Sequence, residues 1–379
     1  MILTKCASCA ADLPHLAKQC SRCKTRYCGL ACQKKHWKEG GHDKRCKKIR
    51  KGGGAEQYNA DQKYKGAVSV AVEKCAADTK GQTCYICLEA VHSRTGEGIV
   101  RGCACGDRDG VASGHTGIAH VSCLAEQAKI LCAEAEENNL DAKTLFSKWV
   151  RWNTCSLCEQ EYHGVVRCAL GWACWKTYVG RLEGHMLRNN AMTELGNGLS
   201  EAKHHTDALI VIKADLAMRR RLGTSEHNML IVQGNLANIY DIVGRQEEAL
   251  DTYRDVYSKK VGLYGEEDRS TSLSANNYAD SLLNRQRFGE AKALMRKKIP
   301  VAQRVLGESH ELTLQMLRTY ACALCEDPGA TLGDLRKAVT TLEETTQTAR
   351  RVFGNSHPLV AITECTLRNA RAVLGARFL

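Results

Sequence analysis

The sequence predicts a mostly α-helical chain in which two small metal-stapled modules precede an α-solenoid of helical hairpins. Pairs of cysteine and histidine at short spacing recur in two groups within the first half of the chain. Turns marked by glycine return at an almost fixed period in the second half. At 379 residues, 44% of them hydrophobic, the chain is also long enough to bury at least one conventional core.

The first group of metal-ligand side chains lies in residues 1–50, the first predicted domain. Its eight ligands form four closely spaced pairs: Cys6-x2-Cys9, Cys20-x2-Cys23, Cys28-x3-Cys32 and His42-x3-Cys46. Zinc in structural sites takes four such ligands tetrahedrally, so two ions account for all eight. Because so short a segment buries little apolar surface, we expect its folding free energy to come from metal binding.

This segment resembles the MYND finger over residues 6–46. Tyr27 precedes the third ligand pair, and Trp37 lies between the third and fourth pairs. The interval between Trp37 and His42 is longer than the family usually has, so His36 is a rival ligand, although we expect its side chain to face solvent. The resemblance implies interleaved zinc sites, one formed by Cys6, Cys9, Cys28 and Cys32 and the other by Cys20, Cys23, His42 and Cys46.

A second group of eight ligands follows a predicted linker and helix at residues 51–83, which begin with a glycine-rich hinge. It lies in the third predicted domain, residues 84–178. The four pairs are Cys84-x2-Cys87, Cys103-x-Cys105, His120-x2-Cys123 and Cys155-x2-Cys158. Four cysteines, one histidine and three cysteines in this order are common to PHD and RING-CH fingers.

The spacing favours the RING-CH finger. PHD fingers place two residues inside the second pair and the histidine soon after it, whereas here Cys103 and Cys105 enclose one residue and His120 follows after 14. The segments around His120 and Cys155 resemble RING-CH fingers over residues 84–162. The resemblance implies one zinc held by Cys84, Cys87, His120 and Cys123 and another held by Cys103, Cys105, Cys155 and Cys158.

A RING-CH finger implies recruitment of a ubiquitin-conjugating enzyme. In RING fingers the docking groove uses an apolar residue inside the first ligand pair, here Ile86, and a tryptophan ahead of the last pair, here Trp149 or Trp152. The alternative is that these side chains pack a small zinc-stapled core. Glu159 stands where active RING fingers often carry a cation, and this departure favours a finger without ligase activity.

The second half of the chain, residues 179–379, is the fourth predicted domain. Its recurring turns are Leu222-Gly223, Tyr264-Gly265, Leu306-Gly307 and Phe353-Gly354. The glycine spacings are 42, 42 and 47 residues, and we assign the longer one to a five-residue insertion near Asp327–Ala330. A fixed period with alanine at matched positions, such as Ala237 and Ala279, indicates stacked helical hairpins.

This unit resembles the tetratricopeptide repeats of kinesin light chains over about residues 180–375. The resemblance implies a concave groove that binds protein partners or peptides. His227, His310 and His357 recur at the same point of the repeat, which indicates helix starts rather than catalysis. The remaining cysteines, including Cys322 and Cys325, are interpreted as small core residues.

Composition limits the function classes. Neither a secretory signal nor a membrane span is visible, so the closely spaced pairs among the 21 cysteines are interpreted as thiolate ligands rather than disulfides, and a cytoplasmic or nuclear location is expected. Much of the net charge of +12 comes from residues 1–51, where zinc-bound thiolates would offset part of it. We interpret that basic run as a solvated face or nuclear-import signal, and nucleic acid is not a predicted partner.

The sequence therefore predicts a protein-interaction adaptor that binds four zinc ions. In one hypothesis the central finger is a ubiquitin ligase module and the repeats recruit its substrate. In the other, all modules are passive docking surfaces and the chain is a non-catalytic scaffold. No catalytic residues are predicted, because the chain has no phosphate-binding glycine loop, dinucleotide fingerprint or nucleophile elbow.

Overall fold

The structure is a computed structural model that describes residues 4–107 and 117–377. It is mostly α-helical, as the sequence predicts. Two short antiparallel hairpins pair β1 (Lys18–Gln19) with β2 (Arg26–Tyr27) and β3 (Val100–Arg101) with β4 (Ile118–Ala119). The helices are α1 (Leu30–Lys38), α2 (His42–Lys51), α3 (Ala55–Cys75), α4 (Val121–Glu137), α5 (Ala142–Trp149), α6 (Gly164–Tyr178), α7 (Met186–Glu201), α8 (His205–Leu222), α9 (Glu226–Ile242), α10 (Gln246–Tyr264), α11 (Arg269–Leu283), α12 (Phe288–Leu306), α13 (Glu311–Cys325), α14 (Leu332–Phe353) and α15 (Pro358–Ala376).

The chain forms two compact units. The first comprises Met1–Gly102, Ile118–Ser156 and Glu161–Gly223, and the second comprises Cys103–Gly117, Leu157–Gln160 and Thr224–Leu379. The predicted domain boundaries after residues 50, 83 and 178 stay predictions. Among the described residues, no helix is both long enough and apolar enough to cross a membrane.

In the first unit, α6 is the most buried helix, because it is apolar on nearly every side. Two glycines let α6 and α7 approach closely. A Cβ atom at Gly171 would lie 3.0 Å from the Glu194 carbonyl oxygen, and one at Gly198 would lie 2.7 Å from that of Arg167. The interpretation of the remaining cysteines as core residues is confirmed for Cys168 and Cys174, which this helix buries together with both of its tryptophans.

In the second unit, helix pairs follow the predicted period. The helices α10, α12 and α14 end at Tyr264, Leu306 and Phe353, directly before glycines with positive φ. The interval between Gly307 and Gly354 is five residues longer than the others, and only part of this excess lies in the turn where the sequence predicts an insertion. The α14 helix has 22 residues, whereas α10 and α12 have 19 each, so the remainder lengthens the helix.

The alanines at matched repeat positions lie where paired helices meet. Ala237, Ala279 and Ala321 are fully buried, and they contact leucine, methionine and tyrosine side chains of neighbouring helices. Cys322 and Cys325 are buried in the same helix packing, which confirms their predicted core role.

Two of the three recurring histidines begin helices, as predicted. The Nδ1 atom of His310 accepts a hydrogen bond from the Leu312 amide at 3.1 Å, and His357 does the same for Leu359 at 3.3 Å. His227 also lies at a helix start, as the second residue of α9, although it does not cap the helix. Ser225 is the residue that precedes α9, and the His227 ring instead contacts the Tyr264 hydroxyl at 2.7 Å.

Candidate metal centres

Four groups of four side chains could each hold a metal ion. In every group the four ligand atoms lie within 4.8 Å of one another. Together the groups contain the sixteen predicted ligands, divided into the same four sets that the sequence predicts. The groups are Cys6, Cys9, Cys28 and Cys32; Cys20, Cys23, His42 and Cys46; Cys84, Cys87, His120 and Cys123; and Cys103, Cys105, Cys155 and Cys158.

Sulfur separations in these groups fit a tetrahedral ion rather than disulfides. The Sγ atoms of Cys9 and Cys28 are 3.7 Å apart, and those of Cys20 and Cys46 are 3.8 Å apart. A zinc–sulfur distance of about 2.3 Å gives a tetrahedral edge of about 3.8 Å, whereas a disulfide joins its sulfurs at about 2.05 Å. No cysteine in residues 4–107 and 117–377 forms a disulfide. The donor sets, four thiolates in two groups and three thiolates with one imidazole in the other two, are those of structural zinc.

Local backbone geometry builds the first two groups. In α2, His42 and Cys46 are four residues apart and share one helix face, where both are buried. The His42 Nε2 atom lies 3.4 Å from the Cys23 Sγ atom, which the turn after β1 supplies. The buried cluster of this segment consists of four ligand cysteines and Tyr27, so little conventional core is present around the ligands.

The electrostatics of the first group favour a bound cation. Burial opposes ionisation of Cys6, but backbone hydrogen bonds from Cys28 and Cys9 outweigh it and lower the pKa of this thiol to about 6. The hydrogen bond with Cys32 raises the pKa of Cys28 to about 12. Four thiolates this close repel one another, so they share protons unless a divalent cation compensates their charge.

The third group is arranged in the same way around a histidine. Burial opposes ionisation of Cys84, yet backbone hydrogen bonds from Cys87, His120 and Ile86 lower the pKa of its thiol below the usual value. The Nδ1 atom of His120, the residue that precedes α4, lies 3.3 Å from the Cys87 Sγ and 3.7 Å from the Cys123 Sγ. Burial lowers the pKa of His120, which favours the neutral imidazole that a metal needs.

His36 is not a member of any group. Its ring lies beside His42, with centroids 5.1 Å apart, and its Nδ1 atom is 3.0 Å from the Tyr27 hydroxyl. The expectation that His36 faces solvent is wrong, because the side chain is half-buried and holds Tyr27 in place. Of the two histidines, His42 is therefore the candidate metal ligand.

Residues next to the fourth group contact the end of the last helical hairpin within the second unit. The Gln160 side chain accepts a hydrogen bond from the Ala104 amide at 3.0 Å and donates one to the Phe353 carbonyl at 2.8 Å. Asp107 pairs with Ser356. Sequence reasoning missed these contacts, because nothing in the local sequence links segments that are so far apart in the chain.

The residues predicted to contact a partner differ in exposure. Ile86 is 38% exposed on the loop between Cys84 and Cys87. Trp149 and Trp152 are only 2% and 1% exposed, so their burial favours the core-packing alternative for both rings. The docking surface that the sequence suggested is therefore reduced to Ile86, with the exposed Leu88 and Val91 close to it in sequence.

A polar cavity of about 380 Å³ in the second unit was not predicted. It is lined by side chains of α9, α10, α11 and α13. Asn238 and Asn277 line it, and neither side-chain amide makes a hydrogen bond with a described residue. One signal was available in the sequence: Asn238 and Asp280 are one 42-residue period apart, so a polar side chain recurs beside the alanine positions.

Comparisons with known proteins bear on the repeats. A family model described as tetratricopeptide repeat matches residues 271–311. The nearly identical TPR-like repeats of a Podosopora anserina protein assigned as a kinesin light chain match at 21% identity, covering 51% of this chain and 90% of that chain, with a TM-score of 0.42. BtubC (BKLC) from P. vanneervenii matches at 13% identity, covering 67% and 89%, with a TM-score of 0.36. No curated protein matches the chain.

Proposed function

We propose that this chain is a zinc-dependent protein-interaction scaffold whose helical repeats bind an extended segment of a partner. The open cavity in the tetratricopeptide-type array carries the proposal. Its amides at Asn238 and Asn277 have no hydrogen-bond partner among the described residues. Each amide offers a donor and an acceptor, the combination that a peptide backbone presents in return.

The metal centres support this role by fixing the remaining surface. Zinc would be held by the four groups of thiolates and imidazoles, and each ion would order loops that bury few apolar side chains. Such modules present rigid surfaces, and rigid surfaces lose little conformational entropy on docking. We therefore propose four zinc ions per chain, all structural.

Selection from a displayed library of random peptides against the full zinc-loaded chain tests this function. We expect enriched peptides to bind wild-type protein and to lose about tenfold or more in affinity with Asn277→Ala, since this removes an amide at the cavity that has no partner among the described residues. Asn355→Ala, in an exposed turn outside the cavity, is the matched control. Failure to enrich any peptide, or equal binding by Asn277→Ala, would contradict the proposal.

One observation favours a second candidate function, that of a RING-type ubiquitin ligase. Ile86 is apolar and partly exposed on a loop whose two ends are predicted zinc ligands, the arrangement through which RING fingers engage conjugating enzymes. A rigid apolar side chain of this kind can act as a binding hot spot. The repeats would then hold the substrate.

Reconstituted autoubiquitination with a panel of conjugating enzymes distinguishes the two candidates. Ile86→Ala should keep all four zinc ions, because the ligands remain, and should abolish ubiquitin transfer. Val91→Ala removes another exposed apolar side chain outside the ligand pair and should leave transfer intact. Absence of transfer by the wild-type chain with every enzyme in the panel would leave the scaffold as the function.

A further inference from the structure

The cavity in the second unit is acidic as well as polar. Its lining includes three carboxylates, Asp241, Asp280 and Glu326, and one cation, Arg318. Arg318 is committed to Asp280, which it contacts at 3.3 Å. A second arginine, Arg285, acts on Asp241 from beside the cavity; its Nη1 atom pairs with Glu247, and its Nε and Nη2 atoms are buried without a hydrogen-bond partner among the described residues. Negative charge therefore exceeds positive charge around this space.

Asp241 has unused hydrogen-bonding capacity at the cavity. Its Oδ2 atom accepts a hydrogen bond from the Asn284 side chain at 2.9 Å. Its Oδ1 atom is shielded from water and has no hydrogen-bond partner in the part of the chain that the structure describes. The Asp241 carboxylate is therefore incompletely satisfied by hydrogen bonds, and a cation bound in the cavity would stabilise its charge.

Tyr253 adds an independent polar group to the same cavity. The residue is only 4% exposed, it lines the cavity, and its hydroxyl makes no hydrogen bond with a described residue. The hydroxyl oxygen itself is not shielded from solvent, so a ligand in the cavity can reach it. Burial and the charges of Asp241 and Asp280 raise the pKa of Tyr253, so its hydroxyl stays protonated and its oxygen remains available as an acceptor.

The carboxylates are themselves under-stabilised as anions. Burial raises the pKa of Asp241 even though the Asn284 hydrogen bond lowers it. Burial likewise raises the pKa of Asp280, against the lowering effect of Arg318. A metal ion is not the matching ligand, because these carboxylates do not form one of the groups within the described residues whose atoms converge on a common point. An organic cation with several donors fits the separated acceptors better.

We propose that this cavity receives a lysine or arginine side chain from an extended basic segment of a partner protein. The proposal rests on the peptide-binding function above and specifies the partner's chemistry. The cation's N–H groups meet the Tyr253 hydroxyl oxygen and the carboxylates of Asp241 and Asp280, while the amides of Asn238 and Asn277 contact the backbone on either side. The volume of about 380 Å³ lies within the range of about 300–1,000 Å³ typical of ligand pockets.

Fluorescent peptide libraries with one position fixed at a time and the others randomised test the proposal on the full zinc-loaded chain. We expect lysine or arginine to be preferred over glutamine at one position by about tenfold or more, as for a charge-assisted hydrogen bond. Asp241→Asn and Asp280→Asn keep the side-chain shape and should each remove that preference. Asp251→Asn, a surface residue of α10 paired with Arg254, is the matched control and should keep it.

The outcomes separate this inference from the function on which it rests. Binding of peptides without preference for a basic residue, or a basic preference that survives both Asp241→Asn and Asp280→Asn, overturns the inference and leaves peptide binding intact. No binding by any library overturns peptide binding and the inference together. Tyr253→Phe provides a further measurement, because it should weaken only peptides that carry the preferred basic residue.

Discussion

The ligand-rich segment at residues 4–51 and the repeats of the second unit show two ways of stabilising a fold. In the first segment the buried cluster is four cysteines around Tyr27. In the repeats a comparable cluster consists of alanine, leucine, methionine and isoleucine from successive helices. The first segment buries too little apolar surface to offset the conformational entropy that it loses on folding, whereas the repeats bury apolar surface along the whole array. We therefore expect metal binding to replace hydrophobic burial in the first segment, whereas apolar packing stabilises the repeats.

Cysteine itself illustrates the difference. Cys46 and Cys325 are both buried, at 2% and 7% exposure. Cys46 lies 3.8 Å from the Cys20 sulfur in a group of four candidate ligands, whereas Cys325 packs among helix side chains and its thiol lies 3.6 Å from the Cys322 carbonyl oxygen. Burial alone does not identify a ligand. What distinguishes Cys46 is the convergence of three more donor atoms.

The largest expected effect comes from replacing a cysteine that is a predicted metal ligand. Cys46→Ala should reduce the zinc content from four ions to two, because the ligand pairs of the first two groups alternate along the chain and one site orders the loops of the other. Zinc binding is worth about 10–16 kcal/mol in zinc-finger peptides, so residues 4–51 should unfold. Metal analysis and hydrogen-exchange mass spectrometry measure both changes.

Cys325→Ala is the matched control for that experiment. It should keep four zinc ions and cost about 1 kcal/mol of unfolding free energy, as a small core truncation does. Retention of all four ions in Cys46→Ala would contradict the role of this group. Loss of protection in α9 to α15 of that variant would contradict the independence of the two kinds of core.

A smaller difference in stability is expected between substitutions at two glycines of the repeats. Gly307 and Gly354 both follow a helix with φ near 100°, at 101° and 94°, a conformation that strains other residues by about 1–3 kcal/mol. A Cβ atom at Gly307 would meet nothing within 4 Å, but one at Gly354 would lie 2.9 Å from the Asp107 Cβ and 3.1 Å from its carbonyl carbon. Only Gly354 lies against the loop that follows Cys105.

Gly354→Ala should therefore destabilise the second unit by about 1–3 kcal/mol more than Gly307→Ala does, through overpacking against backbone. Urea denaturation monitored by circular dichroism gives both values. Hydrogen exchange in residues 103–107 should increase only in Gly354→Ala. Equal unfolding free energies for the two variants would show that the contact with Asp107 contributes nothing.

The sequence predicted the periodic part of this molecule well and the long-range part poorly. A fixed period and its glycines place the ends of α10, α12 and α14 correctly, because a helix end is determined by residues near it. The Gln160 bridge between Ala104 and Phe353 joins segments that no local pattern connects. The cavity acceptors Asp241 and Tyr253 come from two helices, and only the packed hairpin brings them to one space.

The tryptophans show why exposure is difficult to infer from a motif. Trp149 and Trp152 stand where a resemblance to RING fingers implies a docking groove, yet their rings are 6.3 Å apart and pack against Tyr178 in the interior of the first unit. The motif specifies the spacing between a tryptophan and the ligands. It does not specify whether α6 covers that side chain, since this depends on a segment beyond the motif.

The register of the repeats can be tested by filling a helix contact. Ala279 is fully buried in α11, so Ala279→Leu should cost about 1–3 kcal/mol through overpacking. Ala293→Leu adds the same atoms at an exposed position of α12 and should change stability by about 0.5 kcal/mol at most. Thermal unfolding compares the two. An unchanged midpoint for Ala279→Leu would mean that α11 and its neighbours pack less closely than the structure shows.

The smallest expected effect is a pH dependence that belongs to the repeats and not to the metal centres. His310 begins α13 by accepting a hydrogen bond from the Leu312 amide, which only the unprotonated Nδ1 atom can do. Burial, and then the charge of Arg269, lowers the pKa of His310. The unfolded chain binds the proton more tightly than the folded chain does. The contribution of this hydrogen bond to the unfolding free energy is therefore complete above the unfolded pKa of about 6.5 and is lost as pH falls through the lower pKa of the folded state.

His310→Asn keeps an acceptor that does not titrate, so it should match wild type near pH 8 and lose less stability at pH 5.5. His310→Ala should cost about 1 kcal/mol at pH 8 and also lack this titration. Urea denaturation of the three proteins at both pH values measures the differences, and parallel losses in all three would place the pH dependence elsewhere in the chain.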